Sequence, residues 1–378
     1  MPLSAVSIKG YRSIRNLYLP VDACSIFIGA NGVGKTNLYK ALGLLRAAAA
    51  GTITRAIADE GGIESVLWAG TRRKSDPVRL LLKAHFEELS YEIEVGLPRS
   101  AGGVTYDAGF LLEPFVKEER IAAHLRGREI AMMERKAAMV ALRDEHGKRI
   151  VHKDAVLPSE TALASFRDGG TSPELEAVRR ELLEWRLYHD FRTDEASPIR
   201  KPCHAITTPT LSADGSDLAA VLATLFVTRQ DTVDLDAAID DAFPGAKLKA
   251  WDEGSWCKFE MRFPDTPRPF GAHELSDGTL KYLCLLGALM GYRLPSLIAL
   301  NEPEASLHPA LLPPLARLIA QAAQRTQVWI VTHSETLAAA LKEETGKVAR
   351  RVIKENGATN IEGLKLTGAF REDADEEA

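Results

Sequence analysis

An α/β fold with a parallel central sheet is predicted by three short apolar runs, each ending in polar residues suited to phosphate chemistry. The first, Cys24-Ser25-Ile26-Phe27-Ile28, leads into Gly29-Ala30-Asn31-Gly32-Val33-Gly34-Lys35-Thr36. The second, Leu297-Ile298-Ala299-Leu300, leads into Asn301-Glu302-Pro303-Glu304; the third, 328–331, leads into Thr332-His333. Buried parallel strands read as unbroken apolar runs, and open sheets of this kind bind ligands beyond the carboxyl ends of their strands.

The elements follow in order. Residues 3–19 predict a hairpin, with Val6, Ile8 and Tyr11 alternating outward and Ile14, Leu17 and Leu19 returning. After the glycine-rich loop, Asn37 to Ala50 has helical spacing (Leu38, Leu42, Leu45) and stops at Gly51. Two alternating strands are expected between Val78 and Gly96. A mixed insertion fills roughly 100–250, with strand-like runs near 130–152 and a helix from Ser172 to Leu187 whose start, Ser172-Pro173-Glu174, is a cap followed by proline. Asp217 to Thr228 reads as a deeply buried helix. Pro264, Pro267 and Pro269 mark a linker before a helical stretch from Ser276. Helices at 310–324 and 334–343 alternate with the late strands, and a hairpin closes the chain, Val348 to Lys354 and Ile361 to Leu366 around Asn356-Gly357. The expected segments are 1–99 and 271–366 for the two parts of a nucleotide-binding lobe, 100–270 for an inserted lobe and 367–378 for an acidic tail. No internal repeat is present, and no heptad pattern persists across the insertion, which argues against a long coiled-coil arm.

Composition narrows the function classes. Hydrophobic residues make up 46% and charged residues 26% of 378, ordinary for a globular protein with ample core. The net charge of −5 argues against a wholesale basic surface, although residues 1–79 carry 11 Lys/Arg against 5 Asp/Glu, with Arg72-Arg73-Lys74 the densest cluster. That cluster suits a solvated loop or a phosphate-backbone contact. Cys24, Cys203, Cys257 and Cys284 are scattered, without metal-ligand spacing, which predicts structural thiols. The start lacks a signal-peptide pattern, and the apolar stretch Leu280 to Leu300 is interrupted by Lys281, Arg293 and Pro295. A soluble, cytoplasmic protein with no membrane partner is expected.

The loop at 29–36 carries the most specific chemistry. Its glycines let backbone N–H groups curl around a β-phosphate, Lys35 reaches the β/γ oxygens, and Thr36 offers a hydroxyl to Mg²⁺. Asn31, Gly32, Gly34, Lys35, Thr36 and Asn37 are the candidate residues for binding a nucleoside triphosphate. Glu302, beyond its strand, is a candidate for orienting water beside the γ-phosphate, and His333 could touch the same phosphate. Leu275-Ser276-Asp277-Gly278-Thr279 opens an apolar helix. Alone it is a helix cap; with its N–H groups and hydroxyl it also suits an anion.

In this order the motifs resemble an ABC-type ATPase, and more narrowly the RecF/SMC/OLD-like group of stand-alone heads without a TOPRIM nuclease domain. The start IKGYRSIRNLYLP followed by SIFIGANGVGKTNLYKAL carries the likeness, as do ELSDGTLKYL, LNEPEASLHPALL and VTHSETL. It covers about 1–95 and 270–366. It implies an α/β P-loop NTPase with an ABC-type (RecF/SMC-like) head, an N-terminal β-hairpin sheet and a mixed α+β inserted lobe. It further implies ATP and Mg²⁺ as cofactors and a homodimer induced by ATP. In that dimer one chain's Lys35, Thr36, Glu302 and His333 act with the other's Ser276 and Gly278, and Ser306 and His308 lie in the loop linking the two sites.

Three departures stand out. Asn301 occupies the position where such enzymes use an aspartate for the metal shell, so Asn301 is the metal candidate beside Thr36. Asp277 stands where many relatives have glycine, and no glutamine such as Gln230 falls where the Q-loop is expected. The resemblance implies a role in DNA maintenance or repair or in anti-phage defence, with DNA or an effector protein as partner. The departures leave open a slow or non-hydrolysing switch regulating an effector. A nuclease is not expected in the 45 residues after His333. The polar patch Tyr188-His189-Asp190-Phe191-Arg192-Thr193-Asp194-Glu195 suits a structural or partner-contact loop better than a metal site. The amino-terminal hairpin and the ELSDGT form point away from a transporter ATPase.

Overall fold

Alternating and continuous apolar runs resolve into different sheets. The computed structural model describes residues 1–72, 78–98, 100–101, 104–105, 110–144, 146–166, 172–228, 233–365 and 368–370. Strands β1 (Leu3–Tyr11) and β2 (Ile14–Pro20) precede β3 (Cys24–Ile28) and helix α1 (Lys35–Ala50). Next come β4 (Arg79–Phe86), β5 (Leu89–Gly96), β6 (Phe115–Leu125), β7 (Arg128–Lys136), β8 (Met139–Arg143) and β9 (Arg149–His152). Helix α2 (Pro173–Glu184), strand β10 (Arg186–Tyr188), helix α3 (Leu218–Thr228), β11 (Lys247–Glu253) and β12 (Trp256–Arg262) follow. The last part holds α4 (Asp277–Met290), β13 (Leu297–Asn301), α5 (Leu312–Ala323), β14 (Gln327–Thr332), α6 (Glu335–Thr345), β15 (Arg350–Glu355) and β16 (Ala358–Ile361).

The chain divides into two compact units. One comprises Met1–Asp22, Gly29–Trp185 and Arg351–Ala378; the other comprises Ala23–Ile28 and Arg186–Arg350. These bounds differ from the segments at 99 and 270 expected from the sequence. The strands at 115–152 do not form a separate lobe but continue the amino-terminal sheet, whose order is β9-β8-β7-β6-β5-β4-β1-β2. In β4 the residues Leu80, Leu82, Ala84 and Phe86 are buried while their neighbours are not, as expected of a sheet with one covered face. Gly51 ends α1 in the left-handed conformation, and its N–H bonds the carbonyls of Ala47 and Ala48.

The second unit is built on four parallel strands in the order β10-β13-β14-β3. Every residue of β3 and β13 is buried, which the unbroken apolar runs predict. Helix α4 is buried almost throughout, and its apolar residues share one core with Leu218, Val221, Leu222 and Leu225 of α3. An antiparallel pair, β11 and β12, completes this unit and was not expected from the sequence.

Two other expectations are corrected. The helix from Ser172 does not reach Leu187: it stops at Glu184, and Arg186, Leu187 and Tyr188 pair in parallel with Ile298, Ala299 and Leu300. Strand pairing satisfies the backbone there, and three residues are too few to carry a periodic signal. The closing hairpin is tighter than expected. Asn356 (φ 49°) and Gly357 (φ 81°) form a two-residue turn with Glu355 opposite Ala358, so the return strand is 358–361 rather than Ile361 to Leu366. Leu366 lies outside the described residues, as do Arg73, Lys74, Gln230 and the acidic tail from Glu372.

Candidate functional site

The glycine-rich loop leaves β3 and ends as α1 begins. Gly34 has φ 99°, and a side chain there would place its Cβ 2.1 Å from Thr359 Oγ1 and 2.4 Å from Ser13 Oγ. Gly29 is equally confined, because a Cβ would lie 2.5 Å from the Val352 carbonyl oxygen. Gly32 has φ 81° and open space around it. Lys35 is only 4% exposed, and its ammonium donates to the carbonyls of Gly29 (2.6 Å) and Ala30 (2.7 Å). Thr36 is half-buried in the first turn of α1.

The side chain of Asn37 donates to Ser13 Oγ (2.8 Å), Ser13 Oγ meets Thr359 Oγ1 (2.6 Å), and Thr359 Oγ1 donates to the Val33 carbonyl (2.7 Å). The loop is thus braced by the β1–β2 turn and by β16. Sequence reasoning missed both braces, since Ser13 and Thr359 are 346 positions apart and Ser13, although inside the IKGYRSI run, has no role assigned by it. Gly34→Ala should therefore weaken ATP binding by at least about tenfold and destabilise the fold by roughly 1–3 kcal/mol, the order of cost for a side chain forced into such a conformation. Titration with a fluorescent ATP analogue and thermal unfolding read the two effects.

The other candidates gather in the second unit. Parallel register sets Tyr188 beside Leu300, Asn301 beside Val331, and Thr332 beside Ile28. His189, Asn301-Glu302 and Thr332-His333 therefore follow the same carboxyl end of the parallel strands that Ile28 closes. Asn301 is 3% exposed; its Nδ2 lies 2.9 Å from His189 Nδ1, while its Oδ1 is buried with no hydrogen-bond partner. Glu302 holds a left-handed backbone (φ 50°) that is costly for a residue with a Cβ, and its N–H bonds the Val331 carbonyl at 2.7 Å. Its side chain is 34% exposed, with Oε2 3.9 Å from His333 Nδ1.

Glu304 was quoted in the motif without a role. It is 7% exposed, and its Oε1 accepts from Thr332 Oγ1 (2.6 Å) and the His333 N–H (3.0 Å), with His333 Nδ1 at 3.2 Å. Its Oε2 is buried without a partner. A buried carboxylate thus grips both the backbone and the ring of His333. Its only sequence signal was its place two residues after Glu302.

At the start of α4, Ser276 Oγ accepts from the Thr279 N–H (3.2 Å) and meets Thr279 Oγ1 at 2.9 Å. A Cβ on Gly278 would come to 3.0 Å from the Ser306 carbonyl oxygen, so the first turn of α4 runs close against the loop after Glu304. Ser306 is left-handed (φ 65°), and His308 Nδ1 accepts from the Ala310 N–H (3.2 Å).

The Asp277 carboxylate is paired with Arg200, at 2.7 Å from Nη2. Arg200 Nη1 also donates to the carbonyls of Leu275 (2.8 Å) and His273 (3.1 Å). The charge that departs from the ABC pattern is thereby held by a neighbouring guanidinium. Breaking that pair with Arg200→Ala should lower turnover severalfold through a misplaced Ser276, and added Asp277→Gly should recover part of the loss; steady-state phosphate release checks both.

The polar patch at 188–195 separates into distinct tasks. His189 meets Asn301, Asp190 pairs with Lys281 of α4 (3.2 Å), and Arg192 grips Asp194 through two bonds of 2.6 and 2.9 Å. The hydrogen bonds from Arg192 hold the Asp194 carboxyl down at about 2. Among the described residues no cluster of three or more His, Cys, Asp or Glu could hold a metal ion, and no helix is long and apolar enough to cross a membrane.

A family described as "AAA domain, putative AbiEii toxin, Type IV TA system" matches residues 24–339. The chain belongs to this AAA-domain family. The matched span runs from β3 into α6 and so contains the glycine-rich loop, the LSDGT helix start, Glu302 and His333. The fold of this AAA-domain chain is also that of SMC heads. It is similar to an SMC head bound to the C-terminal winged-helix domain of ScpA, at TM-score 0.52 and 13% identity over 97% of this chain and 99% of that one. The Smc head of Pyrococcus furiosus, bound to the C-terminal domain of ScpA, has TM-score 0.51 at 12% identity over 100% of both chains. The head of Pyrococcus yayanosii, with its coiled coil and joint, has TM-score 0.51 at 9% identity over 100% of both. The SMC-head fold is therefore the architecture, and the AAA-domain family supports ATPase chemistry in general.

Proposed function

We propose that this chain hydrolyses ATP in a head-to-head homodimer, each nucleotide lying between one chain's glycine-rich loop and the other's α4 start. The observation that carries the reading is the shared sheet edge: Asn301-Glu302 and Thr332-His333 leave it beside Ile28, the residue that enters the Lys35 loop. Asn31, Gly32, Gly34 and Lys35 bind the phosphates, with Asn37 bracing the loop. Thr36 Oγ1 and Asn301 Oδ1 would hold the water shell of Mg²⁺, which when bound neutralises charge on the β- and γ-phosphate oxygens; the buried, unpartnered Asn301 Oδ1 fits that task. Glu302 orients a water that attacks the γ-phosphorus as the bond to the β,γ-bridging oxygen breaks, releasing ADP and phosphate. Lys35 and His333 stabilise charge on the γ-phosphate, and the partner's Ser276 and Gly278 contact it from across the dimer. Such chemistry depends on positioning and charge more than on covalent steps.

Mixing two inactive variants tests the composite site. Lys35→Ala and Ser276→Arg chains should each be inactive, yet an equimolar mixture should regain about a quarter of natural activity, because half the dimers would hold one intact site of two. A mixture as inactive as its parts removes the dimer reading.

The process served is read as defence, with an effector protein as partner, which the toxin–antitoxin description of the family supports. The Asn301 amide in place of a carboxylate favours slow turnover, as suits a switch that reports nucleotide state to such a partner. DNA is the second reading, as in maintenance or repair. It is supported by a hollow of about 390 Å³ in the first unit, lined by Lys9, Arg15, Arg72, Arg79 and Trp68. If DNA phosphates occupy it, affinity falls with salt and Arg15→Ala lowers the salt slope by about one.

A further inference from the structure

The proposed ATPase leaves one question at its metal side: how an amide can do the work of a carboxylate. A carboxylate presents oxygen to a metal's water shell whichever way it turns. An amide presents oxygen in one rotamer and an N–H donor, repelled by a cation, in the other. Something must choose between them.

We infer that His189 is the positioning residue that makes this choice, accepting from Asn301 Nδ2 through its Nδ1 so that Asn301 Oδ1 faces the metal shell. The contact is 2.9 Å. Nδ2 carries only donors, so Nδ1 must carry the lone pair and the ring proton sits on Nε2. Asn301 is almost wholly buried. Its Oδ1 is buried and unpartnered among the protein's own atoms, an arrangement that costs stability unless an outside group completes it. Strand β10 supplies the placement. Tyr188 is in register with Leu300, so His189, just after β10, and Asn301, the last residue of β13, follow side by side.

His189 is not isolated from the rest of the site. The next residue, Asp190, pairs with Lys281 in α4, and Arg200, further along the same segment, grips Asp277 and the carbonyls before it. One stretch, 189–200, therefore touches both the metal-side amide and the helix proposed to face the partner's nucleotide. It stands adjacent to β13 without offering the Q-loop glutamine that the resemblance leads one to seek.

This inference rests on the ATPase reading, and its test measures binding rather than turnover. A fluorescent ATP analogue is titrated into the full chain at a series of MgCl₂ concentrations, and the Mg²⁺ needed for half-maximal tightening is read. His189→Ala should raise it by about 10-fold or more, the usual consequence of removing a group that orients a metal ligand, and should leave Mg²⁺-free binding of the analogue unchanged. His189→Asn, whose Oδ1 takes the place of Nδ1, should restore most of the response; His189→Leu, of similar bulk and no acceptor, should not. In an Asn301→Asp background, where no rotamer has to be chosen, His189→Ala should lose most of its effect. If the natural chain responds to Mg²⁺ and His189→Ala responds identically, or if His189→Asn is as poor as His189→Leu, the inference fails and the ATPase reading stands. A natural chain that binds the analogue but ignores Mg²⁺ removes both.

Discussion

Glu302→Gln should reduce phosphate release by roughly 10²–10⁴ while ATP binding stays close to that of the natural chain. The substitution keeps length, shape and the left-handed backbone at 302, so the N–H bond to the Val331 carbonyl is undisturbed. It removes the half-buried carboxylate just beyond β13, while Asn301 and Glu304 stay in their buried positions. Under the proposed mechanism the loss is therefore confined to orienting and polarising the attacking water. The same variant should accumulate as an ATP-bound dimer on sizing chromatography, because closure without hydrolysis has no exit. Steady-state phosphate release, compared in one set of ATP and Mg²⁺ conditions, decides between the two readings of turnover. If the natural chain releases phosphate no faster than Glu302→Gln, hydrolysis is not its function and the switch reading takes over. Glu304→Gln makes a useful contrast. It should also lower turnover, but by freeing His333, and a variant that loses the Thr332 and His333 bonds should show increased exchange of the His333 amide, which Glu302→Gln should not.

Local chemistry made the glycine-rich loop and its strands legible. Gly29 and Gly34 stand where a Cβ would collide, Gly32 and Gly34 have positive φ, and the apolar runs of β3 and β13 announce burial on both faces. Ser276 was legible as a helix cap, and the structure keeps that role. The missed features all depend on distant pairing. His189 gains meaning only when Arg186, Leu187 and Tyr188 of β10 align with Ile298, Ala299 and Leu300, which puts His189 against Asn301, 112 positions on. Ser13 and Thr359 meet across most of the chain. The pairing of Asp277 could not be read locally because Arg200 lies 77 residues away. The run at 115–152 looked like part of an inserted lobe, since strand pairing order carries no mark in the residues themselves; only the ladder from β5 to β6 shows that it extends the first sheet.

That ladder holds the second large effect: Glu119→Ala should destabilise the protein by about 3–5 kcal/mol, the cost of stranding a buried partner charge. Glu119 in β6 and Arg135 in β7 are opposite each other in register, and both side chains have 0% exposure. Glu119 Oε2 accepts from Arg135 Nη1 (2.9 Å) and the Ala162 N–H (2.6 Å), and Oε1 accepts from the Tyr91 hydroxyl (2.9 Å). Burial first, and then the Glu119 charge, push the Tyr91 phenol well above its usual range, so it serves as a donor. Arg135 spends its remaining donors on the carbonyls of Ala137, Leu157 and Glu160. Removing the carboxylate leaves a guanidinium without a counter-charge, and the Tyr91 hydroxyl and the Ala162 and Leu163 N–H groups without this acceptor. Chemical unfolding of the full chain should show the loss as a lower midpoint, and the double variant Glu119→Leu, Arg135→Met should recover part of it, because no buried charge is then left unpaired. A single-variant loss below about 1 kcal/mol would mean that water reaches Arg135 and that the network is not closed. The consequence for function is indirect but traceable: Thr161, beside the Ala162 amide that Glu119 holds, donates to the Ala48 carbonyl in the last turn of α1 (2.7 Å). The helix that begins at the phosphate loop is thus anchored at its far end by a segment whose position depends on this ion pair, so Glu119→Ala should weaken ATP binding only as the temperature approaches its lowered unfolding transition, whereas Gly34→Ala should weaken it at every temperature.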